Sequence, residues 1–329
     1  MRKPIRIIKA GEIKQYYSMQ KAIDAMERAF TSLSSGDSFV PMRYVTKLPS
    51  NEMLMFFKPA YVEKEQQVAV KILTQREKGI PGIPTIQGIV LLIDAVSGEI
   101  LSIMDGEYLT ALRTGAASGL ATRCFARKDS RIMALFGCGT QGRTQLEAVI
   151  CEREIEKVLV FDKNRQAAES FIHEMQEKHQ IEMSYSDDIS DLKECDIICT
   201  ATNTKSPLFR KGDVKQGVHI NAIGSFQPDM QELDPYLIRD ASVYVDQAES
   251  CLKESGDLIK PIMEGIIDKN HLAGEIGDFC LNKIKGRGSE NEITVFKSVG
   301  VAIQDYEVAT DIYNNSLKEG FGQEINLFE

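Results

Sequence analysis

The chain has 329 residues, 43% of them hydrophobic, and 48 acidic against 39 basic residues give a formal net charge of −9. That length leaves room for two domains with separate cores, and an acidic balance argues against nucleic acid as the main partner, because phosphate binding needs a basic face. Seven cysteines form no CxxC pair and no His sits at zinc-ligand spacing, so no metal site is expected; the start MRKPIRIIKAGEIKQYY lacks an apolar signal core, and no membrane span is evident, so the expected setting is soluble, reducing and cytoplasmic.

From Ser18 to Gly36 the apolar residues Ala22, Ile23, Met26, Phe30 and Leu33 fall at helical spacing, with a glycine stop. The period then changes. MRYVTKLP, MLMFFKPAYV, QVAVKILTQ, TIQGIVLLID and EILSIM are short β-favouring runs, and the turn Val96-Ser97-Gly98-Glu99 between two of them predicts an antiparallel sheet. After about Gly115 the pattern becomes strand, helix, strand. Arg131–Phe136, Lys157–Phe161, Asp196–Ala201, Val218–Ile223 and Ser242–Val245 are near-continuous apolar runs, as a parallel, doubly wound sheet requires. The segment from Ser298 to Gly320 reads as one long helix that packs back on the first lobe.

The strongest local signal is Gly137-Cys138-Gly139-Thr140-Gln141-Gly142, directly after the strand RIMALF and opening a helical segment. The first glycine permits a tight turn, the second a close backbone approach to a pyrophosphate, and the third close helix–strand packing. The phosphates would sit at the helix N-terminus, beside Thr140 and Gln141. Asp162 ends the next strand, where its carboxylate suits the adenosine ribose hydroxyls and repels a 2′-phosphate; NAD(H) is therefore preferred, with Lys163 and Arg165 keeping NADP(H) open. A nonbinding βαβ turn in which Asp162 only caps the following helix is the plainer alternative.

On the other side of the chemistry, Lys71 shares a strand face with Ala69 and Leu73. The segment alone reads more readily as a solvated edge lysine than as a buried one. Arg113, in the small-residue helix LTALRTGAASGLAT, reads by itself as a surface or capping cation, and Arg43 is uninformative by itself.

The chain resembles the ornithine cyclodeaminase/mu-crystallin family over nearly its whole length. The matching residues are PMR at 41–43, KPAY at 58–61, Lys71, GIPTIQG at 82–88, LIDAVSGEI at 92–100, MDGEYLTALRTGAAS at 104–118, FGCGTQG at 136–142, VFDKN at 160–164, NAIGSFQPDMQELD at 221–234 and TVFKSVGVAIQD at 294–305. The resemblance implies an α/β fold: an α+β substrate-binding and dimerisation domain over 1–116, joined by a C-terminal helix at 305–329, and an NAD(P)-binding Rossmann domain over 117–304. It implies a homodimer. It also implies that Arg43, Lys71 and Arg113 grip the substrate carboxylate, with Thr85 in the pocket. Thr114 and Gly115 would approach the cofactor phosphates, and Ala201, Thr202, Ser298 and Val299 would lie near the nicotinamide. Lys71 is the candidate for proton transfer to the substrate nitrogen, because burial beside other cations lowers a lysine pKa.

The resemblance breaks at two places. Ornithine cyclodeaminases carry a Glu three residues before the proline matching Pro59 and an Asp two residues after the glycine matching Gly224, and the residues here are Phe56 and Phe226. Apolar side chains cannot neutralise a buried ammonium, so the expected substrate lacks the distal cation of ornithine. Asp229 matches the mu-crystallin-like branch, and a turn residue after Pro228 explains it equally well. The leading expectation is thus an NAD(P)-dependent oxidoreductase at the C–N bond of amino or imino acids, reducing a cyclic ketimine of the pyrroline-2-carboxylate type. An alanine-type or opine-like dehydrogenase comes second, followed by an ornithine cyclodeaminase and a binding protein without turnover.

Overall fold

In a computed structural model of the chain, the structure describes residues 3–48, 53–76, 80 and 82–327. It divides into two compact units, Met1–Arg113 with Val301–Glu329, and Thr114–Gly300.

The first unit runs through β1 (Ile5–Ile8), α1 (Ala10–Tyr16), α2 (Met19–Ser35), β2 (Ser38–Phe39), β3 (Tyr44–Leu48), β4 (Met53–Val62), β5 (Gln67–Arg76), β6 (Ile86–Asp94) and β7 (Ile100–Asp105), and the unit boundary falls within α3 (Gly106–Phe125). Helix α2 lies where the spacing predicts it. The Ser18 side chain accepts the Lys21 N–H at its start, Gly36 closes it at φ 81°, and Ala22, Ile23, Met26 and Phe30 are buried. Strands β3 to β7 pair antiparallel in sequence order, as expected of their runs. The β6–β7 turn forms because the Asp94 carboxylate accepts the N–H groups of Val96 and Ser97. The sheet as a whole is mixed, because β1 pairs parallel with β7. Four residues of IRII carry too short a pattern for that strand to be read from sequence.

Alternation along β4 and β5 decides what this sheet presents. Phe56, Lys58, Ala60 and Val62 are the buried residues of β4, and Ala69, Lys71 and Leu73 those of β5. The register sets Lys58 directly across from Lys71. Two like charges in that relation repel, so the sheet must be supplied with negative charge from another element.

The second unit contains β8 (Ile132–Phe136), α4 (Thr140–Glu152), β9 (Lys157–Phe161), α5 (Arg165–His179), β10 (Glu182–Tyr185), β11 (Ile197–Thr200), β12 (His219–Ala222), α6 (Pro235–Asp240), β13 (Ser242–Val245), α7 (Ala248–Glu254), α8 (Gly256–Met263), β14 (Leu272–Glu275), α9 (Ile276–Cys280) and β15 (Thr294–Lys297). Its strands stand in the order β10-β9-β8-β11-β12-β15-β13-β14, every pair parallel. Read from β8, the first five have the order of a Rossmann sheet, in which the direction of winding reverses beside the first strand and ligands lie beyond the carboxyl ends there.

The chain then returns to the first unit as α10 (Ala302–Glu319) and β16 (Gln323–Ile325), which pairs antiparallel with β1. Helix α10 packs on α2 and β5. It begins at Ala302 and not at Ser298 as the apolar pattern suggests, because Asp246 draws the N–H groups of Val299 and Gly300 into a turn. Cys138, Cys195, Cys199 and Cys251 are buried thiols. Among the described residues no helix is long and apolar enough to cross a membrane.

Candidate active site

The predicted turn follows β8 and leads into α4 as the sequence requires. Gly137 adopts φ 98°, which favours glycine, and a Cβ there would stand 2.6 Å from the Ala201 carbonyl oxygen. A Cβ on Gly142 would meet the Gly137 carbonyl oxygen at 2.1 Å, so helix and turn touch through backbone. Gly139, the residue preceding α4, differs: a Cβ there meets nothing within 4 Å. The surrounding fold does not demand glycine at that position, whereas a pyrophosphate lying against the backbone at a helix N-terminus does. Thr140 and Gln141 form the first turn of α4, with Thr140 exposed. Asp162 accepts the Cys138 N–H at 2.9 Å and the Asn164 N–H at 2.8 Å, which fixes a partly exposed carboxylate beside the glycine turn. Residues and backbone here fit a dinucleotide. Gly115 is accounted for otherwise, since a Cβ on it would fall 2.4 Å from the Thr144 carbonyl oxygen, and the Thr114 carbonyl accepts from Gln145. Both residues pack α3 on α4.

Two buried acids that the sequence reading did not single out organise the carboxyl ends of the neighbouring strands. Asp246 accepts the Ser298 hydroxyl at 2.7 Å as well as the Val299 N–H at 3.0 Å. Glu232 accepts the N–H and hydroxyl of Thr202 next to Ala201. Of the four residues assigned by resemblance to the nicotinamide end, Thr202, Ser298 and Val299 are thus placed by carboxylates, while the Ala201 N–H donates to the Phe136 carbonyl.

In the first unit the structure gathers the predicted cations. Lys71 is fully buried and Arg113 is 5% exposed, which removes the solvated-edge reading of the first and the surface reading of the second. Lys71 Nζ donates to Asp305 Oδ1 at 2.7 Å and to Thr110 Oγ1 at 3.1 Å. Arg113 Nε donates to the same Oδ1 at 3.1 Å, and its Nη1 to Gln304 Oε1 at 2.9 Å. The guanidinium of half-buried Arg43 lies 5.4 Å over the Phe56 ring. Lys58, which sequence reasoning passed over, joins them. Burial first, then the Lys71, Arg43 and Arg113 charges, pushes its pKa well below the ordinary 10.5.

Asp305 was missed as well. Burial works to raise its pKa, but the Lys71, Arg113 and Lys58 charges outweigh burial and hold the carboxyl below 3.8. For Lys71, burial is the largest influence, Asp305 opposes it, and with the Arg113 and Arg43 charges added the pKa falls from 10.5 to about 8. The cluster therefore offers forked and single cationic donors in a water-poor setting, with one amine that changes charge near neutrality.

The remaining predicted residues sit separately. Phe56 is buried beside Arg43, while Phe226 is half-buried and packs on the core of the second unit. Thr85 is exposed, and its carbonyl accepts the Arg76 N–H. Asp229 is an exposed residue whose carboxylate pairs with Lys205 at 2.6 Å, the arrangement of a surface turn.

Comparison with known proteins covers nearly the whole chain. The model of the ornithine cyclodeaminase/mu-crystallin family matches residues 5–320. A Δ1-pyrroline-2-carboxylate reductase of Bacillus cereus is 36% identical, over 98% of this chain and 99% of its own. The solved structure of the Thermococcus litoralis Δ1-pyrroline-2-carboxylate reductase, in complex with NADH and L-proline, superposes with a TM-score of 0.94 at 37% identity, covering 98% of this chain and 100% of that one. An archaeal alanine dehydrogenase dimer with bound NAD follows at a TM-score of 0.92 and 31% identity, covering 98% and 99%.

Proposed function

The chain belongs to the ornithine cyclodeaminase/mu-crystallin family, and from that premise we propose that it is an NAD(P)H-dependent reductase of cyclic ketimine carboxylates of the pyrroline-2-carboxylate type. The observation that carries this is the buried set of Lys58, Lys71 and Arg113 around Asp305, with half-buried Arg43 near the lysines and Phe56 where a cyclodeaminase needs an acid. Arg113 and Arg43 bind the substrate carboxylate and fix the ring's orientation. Lys71 Nζ holds the proton that the imine nitrogen takes up as the C=N bond is reduced, and Asp305 and Thr110 aim that amine. The nicotinamide nucleotide, when bound, supplies the hydride. Gly137, Gly139, Thr140, Gln141 and Gly142 would hold its pyrophosphate. The apolar Phe56 favours a ring without a distal ammonium, since burying one beside it costs several kcal/mol.

The test is direct. Purified protein is expected to oxidise NADH with pyrroline-2-carboxylate or its six-membered homologue. Absence of that activity, with alanine-dependent NAD+ reduction in its place, would transfer the assignment to the amino acid dehydrogenase that the archaeal relative favours. On the nucleotide, we read Asp162 as the ribose ligand and NAD(H) as the preferred cofactor. Asp162→Ser should raise the ratio of NADPH to NADH kcat/KM by about tenfold or more, equivalent to about 1.4 kcal/mol; an unchanged ratio removes Asp162 from that role. We also read the protein as a homodimer built on its first unit. Phe39, Met42, Tyr44 and Val45 on and beside the short strands β2 and β3 are exposed apolar side chains, and the archaeal relative is a dimer. Sedimentation at the 36.8 kDa of one chain would refute this.

A further inference from the structure

Glu232 takes no part in the carboxylate or proton chemistry above, yet it is fully buried and both of its oxygens are engaged. Oε1 accepts the Thr202 N–H at 2.7 Å and the Thr202 hydroxyl at 2.8 Å, while Oε2 accepts the Thr200 hydroxyl and the Gly224 N–H, each at 2.8 Å. Thr200 ends β11, and Gly224 lies two residues beyond the end of β12. Room for the carboxylate exists because position 224 is glycine: a Cβ there would stand 2.3 Å from Glu232 Oε1 and 2.2 Å from the Thr202 carbonyl oxygen.

A second buried acid supports the first from its backbone side. The N–H groups of Glu232 and Leu233 donate to Asp257 Oδ1 at 2.7 and 3.0 Å, and Asp257 Oδ2 accepts Lys297 Nζ at 3.1 Å. Lys297 is the last residue of β15, and both it and Asp257 are fully buried. Two carboxylates and one amine thus tie together the ends of β11, β12 and β15. Burying such groups is expensive, and an apolar loop would join the strands at lower cost. What a fully satisfied polar network adds is a fixed position for the groups that it holds. The carboxyl ends of these strands are where a doubly wound sheet receives its ligand.

We propose that Glu232 is a positioning residue, which sets the Thr202 and Gly224 backbone as the support for the nicotinamide half of the dinucleotide; this rests on the nucleotide reading given above. Its carboxylate acts through Thr202 and Gly224 and not by contact with the reacting atoms. The adenosine half, bound at the glycine turn and Asp162, is held by other groups: Asp162 fixes the Cys138 and Asn164 N–H groups, and the Glu232 carboxylate bonds only Thr200, Thr202 and Gly224.

The experiment is Glu232→Gln, which replaces one acceptor oxygen by an amide that donates against N–H and O–H donors. ADP-ribose affinity by calorimetry should stay within about twofold of wild type. With NADH and the imine substrate, kcat should fall about 10- to 100-fold, the scale of a small misplacement of reacting groups. The primary isotope effect with NADH deuterated at the transferred hydrogen should rise as hydride transfer becomes rate-limiting. Wild-type kinetics in Glu232→Gln overturns the proposal, and so does a loss of ADP-ribose binding in step with activity, which marks a global structural role. Should that variant fail to fold, Thr200→Val decides: it deletes one donor to Oε2 and leaves the other three, so the same changes in smaller degree support the proposal and wild-type values overturn it. If wild-type protein binds neither ADP-ribose nor NADH, the nucleotide reading falls and takes this proposal with it.

Discussion

Replacing Lys71 with methionine is expected to lower kcat for imine reduction by about 10²- to 10⁴-fold, the range for loss of a positioned proton donor, while the NADH dissociation constant stays near that of wild type. Methionine keeps most of the buried volume, so no large cavity opens between β5 and α10. Asp305 does not become an orphan charge, because Arg113 Nε still donates to the same oxygen at 3.1 Å. The defect should therefore appear in turnover and not in folding or nucleotide binding. Fluorescence titration with NADH and single-turnover kinetics separate these, and wild-type turnover in Lys71→Met removes Lys71 as the proton donor.

The same assignment gives a pH dependence with a fixed sign. Lys71 has a pKa of about 8, down from 10.5, chiefly through burial. Below about 8 it is protonated and able to donate, so the reductive kcat should be level there and fall as pH rises through that value. The oxidative direction needs the neutral amine and should rise through the same window.

Much of the second unit was legible because its determinants are local. A strand, a GxGxxG turn and a helix N-terminus occupy consecutive residues, and Gly137 and Gly142 answer to contacts with the adjoining β11 end and within the motif. Helix α2 was legible for the same reason, with Ser18 and Gly36 marking its ends. The first unit yielded its strands but not its charge balance. Strand alternation placed Lys71 on a face with Ala69 and Leu73, yet whether that face meets water depends on α10, more than two hundred residues later in the chain. Asp305 and Lys58 were missed on that account, because nothing within a few residues of either marks it as a partner of Lys71. Glu232 escaped for a related reason: its donors at 200, 202 and 224 come together only once β11 and β12 lie side by side.

Asp305→Asn is the sharpest test of that long-range balance. In the native protein one carboxylate oxygen receives both Lys71 and Arg113 inside a sheet–helix interface. Removing its charge leaves two buried cations without the partner they share, and breaking a buried pair in this way costs about 3–5 kcal/mol, to be read from urea unfolding near pH 7. The folded pKa of Asp305 lies below 3.8, so its contribution is present above that value and is lost as pH falls through the folded pKa; the stability gap between wild type and Asp305→Asn should close in acid. Asp305 also raises the Lys71 pKa, by charge and by hydrogen bond, against the stronger downward effect of burial. Without it, Lys71 must titrate below about 8, and the alkaline limb of the reductive profile should move to lower pH in Asp305→Asn. Loss of stability with an unmoved limb would mean that the group titrating in the profile is not Lys71, and the proton would then have to reach the imine from another donor.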